Sequence, residues 1–493
     1  EHPVSADVSV NDCFRPVSRF FDRISRPEQI LTALPEAMRV LTSPVETGTV
    51  TLALPQDVQA HAYDYPAKFF EPCVWPIGRP APNLDRVAEA IALLKHAKRP
   101  VIIAGGGVHY AEAWDELQAF AETCGIPVVE TFAGKGAIRR DSPWLLGGGG
   151  VTGTPPAAQI ESKADLVIAI GTRLTDFTTG SQSAFSHPQV KFIAINVVER
   201  DACKQGALPI VADAREALRA LIERAKSVGL QPRSTYGREV AAAKQAWAHA
   251  LETEVYHQVP GEAISQGQLI GILNKEAQPG DTVIAAAGGA PGDLMKLWDT
   301  SGDRPCHIEF GYSCMGYELP AGLGVRMAHP SGEIYVLIGD GTYLMNPMEL
   351  VTAAQEKLKV TVVVADNHGF QVIRQLQMNR AGRSFGNEFR ARDPQSNRLE
   401  GDYLPVDYAR NAESMGARAW HVATETDLRA ALAEARQESR PCVIVVEVEK
   451  HRYLPGAGVW WDVASAEATR DPVTRKLRHQ YERERARRQR YYR

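Results

Sequence analysis

The residues of this chain best placed to do chemistry lie between positions 339 and 369. A hydrophobic run, IYVLI, leads into Gly339-Asp340-Gly341-Thr342, followed by Met348, Glu349, Leu350 and Ala353 at helical spacing. A second hydrophobic run, over 360–364, closes on Asp366-Asn367-His368-Gly369. In a parallel strand–helix–strand unit the carboxyl ends of the two strands lie side by side. Asp340 and Asn367 would therefore converge, offering a carboxylate and an amide oxygen, and Gly369 would add a backbone carbonyl from a tight turn. Such an all-oxygen set suits Mg²⁺, which keeps part of its water shell and binds phosphate oxygens. The glycines let the backbone approach those phosphates, and a helix N-terminus after Gly341 would add its dipole and free N–H groups. A lone Gly-Asp-Gly reads more simply as a crossover turn with an acid capping a helix. The asparagine and glycine that close the next strand favour the cation.

Other residue types point less sharply. His109, His307, His368 and His421 are the candidate acid–base groups. His368 lies inside the turn just described, where it would face a substrate or stand exposed. His307 comes just ahead of the segment GYSCMG. Residues 374–400 are polar, rich in arginine and long for a connection, which suggests a lid. Its arginines would meet an anionic product or face solvent. The glycines of AGGGVHYAEAW follow a strand, but Tyr110 stands where a dinucleotide fingerprint needs glycine or alanine, which argues against a nicotinamide dehydrogenase.

Around these residues, three segments alternate between strand and helix, which predicts an α/β fold of parallel sheets flanked by helices. The first, 1–66, holds a helix over 27–41 and the strand-like TVTLALP, too little to close a sheet. A proline-rich linker over 67–82 follows. A central Rossmann-like domain over 83–226 has strands at PVIIAGGG, IPVVET, ADLVIAIG and KFIAINV. A connecting helical segment, 227–261, leads to the last α/β domain, 262–455, with strands at DTVIAAAGG, EIYVLIGDG, VTVVVADN and PCVIVVEVEK. The tail, 456–493, carries GVWWDV and ends in a strongly basic stretch, read as a solvated helix whose apolar stripe packs on the body rather than as a nucleic-acid site.

Composition bounds the function. Hydrophobic residues at 44% and charged ones at 23% are globular proportions, and a net charge of −4 gives no reason to expect nucleic acid or an anionic membrane. No apolar run approaches the roughly 18 residues that cross a bilayer. The seven cysteines form no Cys-x-x-Cys pair, so neither a disulfide framework nor a zinc site is indicated, and the cytoplasm is the expected compartment.

Gly-Asp-Gly, about 25 intervening residues and an asparagine closing a hydrophobic strand resemble the cofactor motif of thiamine-diphosphate enzymes, and Glu349 and Ala353 fit it too. The resemblance implies that Asp340 and Asn367 bind Mg²⁺ through their side chains and Gly369 through its carbonyl. Gly339, Gly341 and Thr342 would then cradle the diphosphate. Met315, in GYSCMGYELPAGLG, takes the place of the apolar residue that props the cofactor into a bent shape. That bend makes deprotonation of the reactive carbon intramolecular. Gly289, Ala290 and Pro291 occupy the loop that meets the far end of the diphosphate.

Further stretches, among them NDCFRPVSRFFDRISRPEQ, VVETFAGKGAI, GGGGVTGTPPAA and IGTRLTDFTTGS, are similar to one branch of the family. Its enzymes open a trihydroxylated cyclohexane-1,2-dione in myo-inositol breakdown. The implied reaction is hydrolytic cleavage between two adjacent carbonyl carbons of a cyclic dione, giving 5-deoxy-glucuronate without net redox change. The alternative within the family is a carboligase or decarboxylase of the acetolactate-synthase kind acting on 2-keto acids. Some relatives bind FAD in the central domain, and nothing here signals it. The family also implies a three-domain layout with an active site shared between subunits, hence a homodimer or higher homo-oligomer. Residues 1–66 look like the last part of the pyrimidine-binding domain. None of Glu1, Glu28, Glu36 and Glu46 sits in surroundings that suit the family's activating glutamate, which is expected upstream of Glu1.

Overall fold

Uninterrupted runs of valine, isoleucine and alanine make strands that can be covered by helices on both faces, and two parallel sheets are built from them. A computed structural model describes residues 4–5, 8–309 and 311–491. Glu1 lies outside the described residues.

At the N-terminal end, β1 (Phe20–Arg23) is followed by helix α1 (Ile30–Thr42) and by β2 (Val50–Ala53), which pairs parallel to β1. Two strands bury little, and the local core is a small cluster of Ile24, Ala33 and Val58 with Ile30 and Leu52 against them. The linker that follows holds a single short helical turn, Ala67–Phe70. It is pinned to the next unit where Arg79 meets Asp213 at 3.2 Å and the Asp213 N–H donates to the Pro80 carbonyl.

The second sheet contains β3 (Pro100–Ala104), β4 (Val128–Glu130), β5 (Leu145–Gly148), β6 (Leu166–Ile170), β7 (Lys191–Asn196) and β8 (Leu208–Val211) in the order β5-β4-β3-β6-β7-β8. Its two faces follow the period of the strand: Ile102 and Ala104 enter one core, Val101 and Ile103 the other. Helix α2 (Pro155–Glu161) follows β5.

The third sheet is preceded by helix α3 (Gln266–Glu276). Its elements are β9 (Thr282–Ala285), α4 (Ala290–Leu297), β10 (Cys306–Ile308), α5 (Glu318–Ala328), β11 (Ile334–Gly339), α6 (Glu349–Glu356), β12 (Thr361–Asp366), α7 (Gln371–Ala381), β13 (Arg418–Val422) and β14 (Cys442–Glu447). The strand order is β10-β9-β11-β12-β14-β13. Helix α8 (Pro472–Arg488) comes last and packs on α7, where the Thr474 hydroxyl donates to the Ala381 carbonyl. Arg478 pairs with Glu482, and Arg487 and Arg488 with Glu484, while Thr474 and Tyr481 are buried.

Two expectations need correction. The chain does not run from Gly341 into one continuous helix: a single turn, Asp340–Tyr343, is followed by a break, and α6 starts at Glu349. Nor is 374–400 one loop, because its first residues continue helix α7 to Ala381.

Both carboxyl oxygens of Glu161, fully buried at the end of α2, lack a hydrogen-bond partner. Burial pushes this carboxyl up to about 8. The folded state therefore holds the proton more tightly than the unfolded chain. Stability falls as pH rises from 4.5 towards about 8, by up to about 1.4 kcal/mol per pH unit. Glu161→Gln is expected to raise the melting temperature at about pH 7.5 and to leave it nearly unchanged at about pH 5. Equal gains at both values would refute this assignment.

Candidate functional site

Strand pairing brings the predicted residues together. β11 pairs with β12 so that Gly339 lies opposite Ala365, which sets Asp340 beside Asp366 at the carboxyl edge of the sheet. Asp340 is fully buried. Its Oδ1 accepts the Gly341 N–H at 2.8 Å and its Oδ2 the Gly369 N–H at 2.7 Å. These two bonds fold the turn after β12 back onto the turn after β11. Gly369 has φ +136°, and a Cβ there would meet the Asn387 carbonyl oxygen at 2.3 Å, so only glycine fits.

The oxygen atoms of this turn are buried and only partly satisfied by the protein. Burial, and next the nearby Asp366, push the Asp340 carboxyl well above the usual carboxylate range. The Asn367 side-chain oxygen is buried without a partner, whereas its backbone carbonyl accepts from the Gln371 amide at 2.8 Å. Space is left beside Gly339, where a Cβ would touch nothing within 4 Å, while one on Gly341 would strike Phe370. Thr342 is buried in the same turn.

The other predicted residues come from two neighbouring loops. Beyond β9 the chain passes through Gly288, at φ +82° with open space around it, to Gly289 at the start of α4. Ala290 and Pro291 form the first turn of that helix, whose free N–H groups suit an anion. Met315, partly exposed, lies in the loop before α5.

Glu318, which sequence reasoning missed, ties these loops together. Its buried carboxylate accepts the Ala287 N–H and the Gly316 N–H, each at 3.0 Å. Asn346, in the segment beyond Gly341, donates to the Gly316 carbonyl at 3.3 Å. An acid opening an otherwise apolar helix, ELPAGLGV, is the only local sign of this role.

The histidines separate. His368, at φ +59°, has its Nε2 3.2 Å from Glu447 and its Nδ1 3.9 Å from Asp366, and its ring packs on Tyr403. His307 shares a 2.8 Å hydrogen bond with Tyr317, and burial lowers its pKa. His109 is held between Trp114 and the Lys135 carbonyl, outside this cluster. His421 lies on the edge strand β13.

The segment after α7 folds over the turn. The Phe370 N–H donates to the Asn387 carbonyl, and the Phe389 N–H to the His368 carbonyl. Glu388 accepts the Tyr403 hydroxyl at 2.8 Å and faces Arg390 at 3.3 Å, Arg374 at 3.6 Å and His451 at 3.4 Å. Arg374 and Arg390 thus point at Glu388. Of the N-terminal glutamates, Glu36 and Glu46 pair with Arg39 and Glu28 with Arg26, away from the cluster.

Two stretches match known protein families: 87–221 the thiamine pyrophosphate enzyme central domain, and 286–446 the C-terminal thiamine pyrophosphate binding domain. Over nearly the whole length the chain is similar to enzymes named 3D-(3,5/4)-trihydroxycyclohexane-1,2-dione hydrolase. The one from Bacillus cereus (strain AH820) is 42% identical over 487 residues, covering 94% of this chain and 75% of the relative. The one from Bacillus anthracis (strain A0248) matches at the same identity and coverage. The one from Bacillus thuringiensis (strain Al Hakam) is 42% identical over 486 residues, with the same shares covered.

Proposed function

This chain belongs to the thiamine pyrophosphate enzyme family, and from that premise we propose that it hydrolyses a carbon–carbon bond of 3D-(3,5/4)-trihydroxycyclohexane-1,2-dione, the ring opened in inositol catabolism. The substrate rests on the identity of 42% across 94% of the chain. The cofactor site rests on one observation above the rest: the unpartnered Asn367 oxygen beside the buried Asp340 carboxylate.

Mg²⁺ fits this donor set. Asp340 and Asn367 would hold it through side-chain oxygens and Gly369 through its carbonyl, with phosphate oxygens and water completing the shell. The diphosphate would lie between the first turn of α4, at Gly289, Ala290 and Pro291, and the turn formed by Gly339, Gly341 and Thr342. Met315 would support the cofactor between its two ends. When bound, thiamine diphosphate supplies the electron sink that accepts the bonding pair as the bond beside a carbonyl breaks. The chain's own part is positioning. Glu318 holds the Gly289 and Met315 loops at a fixed separation. The segment anchored through Glu388 covers the metal turn and limits access of water. Water and dione give one carboxylate and one aldehyde, 5-deoxy-glucuronate, with no change in overall oxidation state.

The protein would work as a homodimer or larger homo-oligomer. Tyr312, Met345, Met348 and Val351 flank the site and are exposed, an apolar surface that suits a second copy. Among the described residues no helix is long and apolar enough to cross a membrane. All seven cysteines are free thiols, which supports a cytoplasmic location.

The deciding experiment supplies the dione, with thiamine diphosphate and Mg²⁺, to a form of the protein that carries the family's activating glutamate, and follows the ring-opened acid by NMR. One equivalent of acid per dione consumed is expected. Turnover of 2-keto acids with release of carbon dioxide and no dione cleavage would replace this reading with the carboligase one.

A further inference from the structure

Helix α4 presents its N-terminus to the proposed diphosphate site, yet its other end is held by a different sheet. An α-helix leaves its last carbonyls without intrahelical partners. In α4 the Leu294 carbonyl accepts the Trp298 N–H and the Leu297 carbonyl accepts the Asn274 side-chain amide at 2.8 Å. The Met295 carbonyl is taken by the Lys135 ammonium at 3.2 Å, from the loop after β4 in the second sheet.

That contact is part of a buried junction. The Lys135 and Glu130 side chains are each 1% exposed and stand 3.9 Å apart. Glu130 also accepts the Gly136 N–H at 2.9 Å, so the carboxylate is fixed before it meets the lysine. Burial lowers the pKa of the Lys135 ammonium, and Glu130 opposes that shift. The side of α4 is fitted to the same sheet: a Cβ on Gly148 would strike Met295 at 2.5 Å, and one on Gly292 would come within 3.0 Å of Thr152.

The geometry points to Lys135 as a positioning residue for the cofactor: an ammonium delivered from the central sheet caps the C-terminal end of α4 and so sets where its N-terminal end meets the diphosphate. Eight helical residues span about 12 Å, and a helix this short moves as one body, so a displacement at Met295 reaches Gly289. A cation at the C-terminal end also opposes the negative pole of the helix. The inference rests on the diphosphate reading of Gly289, Ala290 and Pro291.

Lys135→Met alone would strand a buried carboxylate, so the primary variant is Lys135→Met with Glu130→Gln. Gly148→Ala presses on Met295 from the side with no change of charge. Thiamine diphosphate with Mg²⁺ is titrated calorimetrically into the full chain and into both variants, and amide exchange over 290–298 is measured without ligand. Both variants are expected to bind the cofactor about tenfold more weakly. They should also exchange faster over 290–298, while turnover at saturating cofactor, read in a form that carries the activating glutamate, stays within about twofold of the native value. A purely structural role would lower the melting temperature without that split. Unchanged affinity and exchange in the double variant overturn the inference, as they do in Gly148→Ala if the double variant fails to fold. No cofactor binding by the native chain overturns the diphosphate reading itself, and with it the inference. The exchange data still report whether Lys135 holds the helix.

Discussion

Asp340→Ala is expected to abolish Mg²⁺-dependent binding of thiamine diphosphate in a chain that still folds. The carboxylate is fully buried and forms no ion pair among the described residues. A buried charge in that state is costly, and on the proposed reading a divalent cation would offset it. In the ligand-free protein the substitution has two opposing effects. The Gly341 and Gly369 amides lose their acceptor, while the repulsion between Asp340 and Asp366 disappears. Stability without ligand should therefore change little.

The ligand effect does not cancel. Native protein at a hundred times the dissociation constant gains about 2.7 kcal/mol from binding, and the variant should gain none. Thermal melting with and without Mg²⁺ and cofactor reads this directly. A variant whose melting temperature still rises by the native amount would remove Asp340 from the site. Asn367→Ala should lose the same ligand-induced rise, because it removes the second side-chain donor.

Glu318→Ala carries the second large effect, and here the fold suffers too. Its two oxygens take amides from two different loops, and no other described hydrogen bond accepts from either amide. Each amide left unpaired costs about 1–3 kcal/mol, so a loss of about 3 kcal/mol in total is expected. Burial, opposed by these amides, holds the carboxyl above its usual range, as befits a group kept inside to fasten backbone. Affinity for the cofactor should fall with stability, because the Gly289 loop and the Met315 loop lose their common anchor. Glu318→Gln retains one acceptor oxygen and should lie between the native protein and the alanine variant in both measurements. Denaturant unfolding and cofactor titration on the two variants test the order. An alanine variant no less stable than native would show that the loops hold each other by other means.

Much of this architecture is legible in the amino-acid sequence. The two large sheets hold eight interior strands, and each is a run recognised from its valines, isoleucines and alanines: β3, β4, β6, β7, β9, β11, β12 and β14. The four that escaped, β5, β8, β10 and β13, are the four edges. An edge strand is covered on fewer sides, so it tolerates glycine, proline, histidine and arginine, as in LLGG, LPIV, CHI and RAWHV. Without an unbroken apolar run there is little for a pattern to catch.

The candidate site divides in the same way. Asp340, Asn367 and Gly369 could be named from one strand–helix–strand unit, because parallel pairing places consecutive strand ends side by side. Local sequence could not show that Asp340 also binds the Gly369 amide, that Glu318 spans 31 residues to Ala287, or that Lys135 reaches 160 residues to Met295. Nor could it show that Arg374 and Arg390 turn towards Glu388. The sequence alone determined which strands are interior and which oxygen donors stand at their ends, since apolar periodicity and parallel topology act over short stretches of chain. Only the tertiary structure decided how the loops beyond those ends are fastened to one another. Such contacts depend on side chains meeting across sheets, and nothing in the spacing of neighbouring residues encodes that meeting.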